Sequence, residues 1–108
     1  MDDCIFCKII KGEIAANFVY QDGDFVAFKD IKPSAPVHVL IVPRKHIDSL
    51  SVATKEDQEM LGKLQILGAK IAKELGVGDG FRLSTNNGKA AGQVVFHLHY
   101  HLQGGWEK

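Results

Sequence analysis

The sequence predicts one α+β domain, and three stretches carry that expectation. Met60, Leu64, Leu67, Ile71 and Leu75 recur at helical spacing and mark one long amphipathic helix. Val37 to Val42, VHVLIV, is β-branched and nearly all apolar, as an interior strand is. Val94 to Gln103, VVFHLHYHLQ, alternates strictly, so a strand there turns His97, His99 and His101 to one face and Leu98, Tyr100 and Leu102 to the other. At 108 residues the chain suffices for a single core, and one domain over residues 1–108 is expected.

Charge and cysteine usage narrow the function. Thirteen Lys and Arg balance thirteen Asp and Glu, which leaves no overall field to steer nucleic acid or an anionic membrane. No apolar run approaches membrane length, and the start MDDCIFCK is acidic where a signal peptide would be basic. A cytoplasmic protein is expected. Its two cysteines, spaced Cys-x-x-Cys, then suggest metal or redox chemistry more than a structural disulfide.

In chain order, Cys4 to Lys11 spaces Ile5 and Ile9 as a short helix requires, and Gly12 ends it. Phe18 to Gln21 and Phe25 to Lys29 flank Asp22-Gly23-Asp24 and read as a β-hairpin. Asp30 to Pro36 holds two prolines and is a loop. In the strand Val37 to Val42, His38 shares a face with Leu40 and Val42, and points into the core or, the preferred reading, into a pocket on the same sheet. Thr54 to Asp57 resembles a capping box with Asp in place of Glu. The long helix follows, its stripe widened by Leu61, Gly68 and Ala72, until Gly76 and Gly78 stop it. That stripe is core, or core with a subunit contact. Phe81 to Asn86 alternates as a further strand, and Asn87 to Gly92, NGKAAG, is a turn that either connects tightly or offers backbone N–H groups to an anion. The final residues, GGWEK, form a short polar tail.

The histidine stretch calls for chemistry, since a solvated strand face is usually filled with Thr, Lys, Glu and Ser. One metal ion bound by all three is excluded on a regular strand. Alternate residues lie about 6.6–6.8 Å apart, so the outer pair is separated by about 13 Å, whereas a tetrahedral ion has bonds of about 2 Å. Divided labour along an extended group such as a phosphate chain fits better, with a neutral middle imidazole as nucleophile. Cys4 and Cys7 need two further ligands for a closed zinc site, and His46 and His97 are the candidates; two buried thiols remain the alternative.

Taken together, these motifs resemble the histidine triad (HIT) superfamily, whose signature is His-φ-His-φ-His-φ-φ with φ apolar, and its Hint branch in particular. The similarity runs from Cys4 to Gly105 through CIFCKII, VAFKDI, APVHVLIVPRKHI, STNNG and AGQVVFHLHYHLQGG. It implies a five-stranded antiparallel sheet with one short N-terminal and one long central helix, and a homodimer formed through the long helix and a sheet edge. It also implies purine nucleotide binding and hydrolysis of purine nucleoside 5'-phosphoramidates or related nucleoside monophosphate derivatives. By position His99 matches the nucleophile, which forms a nucleotidyl-histidine intermediate, and His38 the fourth active-site histidine. His101, with the backbone near Gly92 and Gln93, matches the phosphate contacts, and Asn86 a residue beside them. Asp30 matches the ribose acceptor, and Phe6, Ile9, Phe28 and Ile31 the apolar walls around the base. Members with Cys-x-x-Cys hold a structural zinc at positions matching Cys4, Cys7, His46 and His97.

Two departures stand out. Many Hint members carry serine where this chain has Val94, and valine cannot donate; one missing transition-state donor costs on the order of a hundredfold in rate. A zinc-stabilised nucleotide-binding module with weak turnover is therefore the alternative to the hydrolase, and a nucleotidyl transferase a third reading. Gln103 occupies the last apolar slot of the signature, and nothing in the sequence accounts for it. The short tail around Trp106 leaves the leaving group unspecified.

Overall fold

A computed structural model describes residues 3–107; Met1 and Asp2 of the acidic start and Lys108 of the polar tail lie outside the described residues. Helix α1 (Ile5–Ile10) opens it, followed by strands β1 (Phe18–Gln21), β2 (Phe25–Lys29) and β3 (Val37–Pro43). Helix α2 (Gln58–Glu74), β4 (Phe81–Ser84) and β5 (Tyr100–Gly104) complete the order. The strands form one sheet, β1-β2-β3-β5-β4, with every neighbouring pair antiparallel. This is the five-stranded α+β architecture expected. Among the described residues, no helix is long and apolar enough to cross a membrane.

Local chemistry sets the boundaries. Gly12 ends α1 with φ +83°, and Gly76 ends α2 with φ +80°, a region that favours glycine. The hairpin turns on Asp22, whose Oδ1 accepts the N–H groups of Asp24 and Phe25 at 2.7 and 2.8 Å. Thr54 N–H donates to Asp57 Oδ2 at 2.9 Å, the Asp half of the expected capping box, although a 3-10 turn over Lys55–Asp57 precedes α2. Lys45 Nζ lies 2.6 Å from Asp57 Oδ1, and this bond, with the backbone one, holds the Asp57 carboxyl below its ordinary range. A carboxyl lowered in the folded state contributes stability above its unfolded value of about 3.9 and loses it as pH falls through the folded one. Asp57→Asn should accordingly flatten the acid side of a thermal-stability profile.

Alternation along the strands divides the sheet's two faces. Phe25, Ala27, Val39, Ile41, Tyr100 and Leu102 pack with Leu64, Leu67, Ile71 and Ala72 of α2. Gly68 lets α2 approach closely, since a Cβ there would stand 3.0 Å from Leu83 Cδ2. On the opposite face Val26, Phe28, Leu40 and Val42 pack with Phe6 and Ile9 of α1. Leu64 is fully buried in the larger cluster. Leu64→Ala should cost about 3 kcal/mol in a urea titration, from lost transfer energy and the cavity left behind.

The histidine stretch departs from expectation. Pairing with β3 starts only at Tyr100, opposite Ile41, and Val94 to His99 form no ladder. Continued register would bring Pro43 opposite Leu98, but proline has no N–H to give. The Pro43 carbonyl is taken by the His97 ring, and Leu98 N–H turns to Ile47 O at 2.6 Å. His97 and His99 thus leave the sheet that holds His101. Similarly, β4 stops at Ser84, short of Asn86, and Thr85 Oγ1 donates to His99 O at 2.7 Å where a ladder bond would have followed.

Candidate active site and metal centre

Each of the five histidines has a hydrogen-bond partner that assigns its proton. His99 Nδ1 lies 2.8 Å from the His97 carbonyl, which only accepts, so Nδ1 carries the hydrogen and Nε2 keeps its lone pair. His97 Nε2–H donates to Pro43 O at 2.7 Å, and His46 Nε2–H to Asp48 Oδ1 at 2.9 Å. Ser34 N–H donates to His38 Nδ1 at 3.0 Å, which puts the His38 hydrogen on Nε2. That hydrogen is directed at His101 Nδ1, 2.9 Å away, and His101 in turn carries its own on Nε2. Asp30 Oδ2 stands 3.4 Å from the same His38 Nε2.

Burial sets the charge of the triad. It pushes His97, His99 and His101 below the ordinary histidine range, and neighbouring imidazoles add to this at His97 and His101. Hydrogen bonds to the Pro43 and His97 carbonyls oppose the shift at His97 and His99 without reversing it. All three rings are neutral near pH 7.

His99 and His101 open onto a cavity of about 680 Å³ between α1, the end of β2 and the loop before the histidines. Phe6, Ile9, Phe28 and Leu40 supply its apolar walls, and Asp30 and Ile31 its rim. Phe6 meets the His99 ring edge to face at 5.0 Å. Val94 lines the same cavity and is 87% exposed, open to anything bound there. His38 is buried directly behind His101, on the cavity side of the sheet but outside the cavity lining.

Besides His38, three expected residues do not line this cavity: Asn86, Gly92 and Gln93. Gly92 N–H donates to Lys89 O at 3.0 Å and Gln93 N–H to Gly88 O at 3.1 Å, so the Asn87–Gly92 turn closes on itself instead of offering these donors to an anion. The Gln93 side chain is buried and braces the loop, accepting Gly88 N–H and donating to Asp48 O. Asn86 stands aside, while its neighbour Asn87 accepts Leu50 N–H at 2.8 Å. Sequence reading also missed Ala16 and Lys32 in the lining, which lie in loops without periodicity, and Asp48, whose place two residues after His46 was the available signal.

Cys4, Cys7, His46 and His97 converge, their ligand atoms all within 4.8 Å of one another, and can hold a metal ion. Sγ to Nδ1 distances are 3.4 Å (Cys4 to His97), 3.3 Å (Cys7 to His46) and 3.5 Å (Cys7 to His97). A tetrahedral zinc with two sulfur and two nitrogen ligands has S···N edges of about 3.6 Å, so the donor set fits. Both imidazoles have Nε2–H committed to an oxygen, which turns the Nδ1 lone pairs toward the sulfurs. Burial, with the adjacent Cys4, raises the Cys7 thiol, against an opposing pull from Lys11.

Residues 3–106 match the family model described as "Scavenger mRNA decapping enzyme C-term binding". The chain is 53% identical over 104 residues to Protein HitA of Neisseria gonorrhoeae, covering 96% of this chain and 97% of that one. A HIT family hydrolase from Clostridium thermocellum superposes with a TM-score of 0.95 at 46% identity, covering 99% of this chain and 94% of that one. A histidine triad nucleotide-binding protein from Candida albicans does so with a TM-score of 0.84 at 36% identity, covering 93% and 73%. With the Cys-x-x-Cys pair at α1 and the histidine triad leading into β5, the chain belongs to the histidine triad (HIT) family.

Proposed function

We propose that the protein is a nucleotide-binding hydrolase that cleaves purine nucleoside 5'-phosphoramidates or related nucleoside monophosphate derivatives. The observation that carries this reading is the His99 tautomer: with Nδ1–H pinned on the His97 carbonyl, a neutral Nε2 lone pair is left beside an apolar cavity. The hydrolase and the nucleotide-binding protein that superpose on this chain support it. The purine lies between Phe6, Ile9, Phe28 and Ile31, and the ribose hydroxyls meet Asp30. His99 Nε2 attacks the α-phosphorus and the bond to the leaving amine breaks, the amine taking a proton from solvent. His101 Nε2–H, backed by His38, donates to a phosphoryl oxygen. Water then attacks phosphorus, the bond to His99 breaks, and the nucleoside monophosphate leaves. The Gly92–Gln93 backbone, with Asn86 beside it, serves the phosphate only after the turn opens, since the Gly92 and Gln93 N–H groups are engaged within it.

Zinc is the proposed ion at Cys4, Cys7, His46 and His97; when bound it cross-links α1 to the segment before β5. A cytoplasmic homodimer completes the proposal. The test is incubation with a purine nucleoside 5'-phosphoramidate: the monophosphate should appear, and an alkaline quench should trap one nucleotidyl group on the protein. Monophosphate without any trapped adduct, under conditions that stabilise phosphohistidine, counts against the covalent step.

Val94 favours a second reading, a binding module with weak turnover, because an exposed valine lines the cavity where a hydroxyl would donate. Under the hydrolase reading Val94→Ser should raise kcat by up to about a hundredfold, with purine monophosphate affinity unchanged. Negligible turnover in the natural protein together with intact binding would favour the module.

A further inference from the structure

Gln103 departs from the apolar slot of the triad signature, and its surroundings give it a task. The β3–β5 register pairs His38 with Gln103 and Leu40 with His101, so Gln103, His38 and His101 share the sheet face that carries the cavity. Gln103 Nε2 donates to Ser34 Oγ at 2.7 Å. Ser34 Oγ lies 3.4 Å from His38 Nδ1, the atom that also receives Ser34 N–H at 3.0 Å. An oxygen that accepts from Gln103 has its own hydrogen free to turn toward His38. Two donors converging on one nitrogen exclude a hydrogen there.

We propose that Gln103 is a positioning residue: through the Ser34 hydroxyl it reinforces the Nε2–H tautomer of His38 that the Ser34 N–H sets, and so helps to keep the hydrogen of His101 on the nitrogen facing the cavity. The inference rests on the hydrolase reading for its catalytic consequence and on geometry for the relay itself. The order runs from Gln103 to Ser34 Oγ, from the Ser34 hydroxyl to His38 Nδ1, from His38 Nε2–H to His101 Nδ1, and from His101 Nε2–H to the ligand. Reversal at His38 would move the His101 hydrogen to Nδ1 and turn a bare lone pair on the phosphoryl oxygen. The Ser34 backbone N–H on Nδ1 and Asp30 Oδ2, 3.4 Å from His38 Nε2, favour the same tautomer and limit the loss when Gln103 is removed.

The test is long-range ¹H–¹⁵N spectroscopy of the imidazoles in the ligand-free, metal-loaded protein, paired with steady-state kinetics on a purine nucleoside phosphoramidate. In the natural protein His38 and His101 should both read as Nε2–H. Gln103→Leu should shift His38 toward a mixed tautomer and lower kcat about threefold to fivefold, with KM within twofold, the size expected from one modest neutral hydrogen bond. Ser34→Ala should do the same, Ser34→Thr should restore the natural spectrum and rate, and Gln103→Leu should add nothing in the Ser34→Ala background. A natural His38 that reads as Nδ1–H, or a His38 spectrum unmoved by both Gln103→Leu and Ser34→Ala, overturns the relay. If the natural protein shows no turnover, the hydrolase reading fails while the spectra still decide the relay.

Discussion

His99→Ala should lower turnover of a purine nucleoside phosphoramidate by at least about a thousandfold, since removing a covalent nucleophile costs several orders of magnitude in rate. The trapped nucleotidyl adduct should disappear with it. Binding of the purine monophosphate should persist, because the apolar walls come from Phe6, Ile9, Phe28 and Ile31, and the imidazole is one lining group among them. The fold should persist too: His99 sits on the cavity side and makes no part of the cluster under α2. Rapid-quench kinetics and calorimetric titration check the two halves separately. Turnover within tenfold of the natural protein would remove His99 from the chemistry.

Cys7→Ser should have the second largest effect, on stability and activity together. One metal equivalent per chain should be lost, by elemental analysis, and the unfolding midpoint should fall. At free metal about a thousand times its dissociation constant, linkage alone supplies about 4 kcal/mol. Two couplings make the loss felt at the cavity. Cys4 caps α1 and Cys7 lies within it, the helix that carries Phe6 and Ile9 into the wall, and His97 contributes both a ligand atom and the carbonyl that fixes His99. Protein that retains its metal and midpoint after Cys7→Ser would refute the assignment.

Much of the fold was legible because its signals are local. The hairpin strands Phe18–Gln21 and Phe25–Lys29 fall where β-branched and aromatic runs flank Asp22-Gly23-Asp24, and α2 follows its apolar stripe. The Cys4, Cys7, His46 and His97 grouping could be named from ligand chemistry before any coordinates. Less legible was the break before β5, where perfect alternation argued for strand. Alternation states which side a residue faces, not whether a neighbour has an N–H to pair with, and the neighbour here is Pro43. The commitment of Gly92 and Gln93 to their own turn was hidden for a similar reason: a Gly- and Ala-rich segment reads alike whether its donors face a ligand or each other. Gln103 gave only an exception to a pattern, and its partner Ser34 lies 69 residues away in a proline loop.

The two-faced sheet carries one more consequence, for misfolding. Slipping β5 by a single residue against β3 would turn every side chain over. His101 and Gln103 would be driven beneath α2, stripped of Ser34 and His38 and buried without partners, while Leu102 and Tyr100 replaced them at the cavity. Such a chain would lose its core and its chemistry in the same step. Specific activity should therefore track the folded fraction through a urea titration, with no compact, silent isomer accumulating between the native and unfolded states.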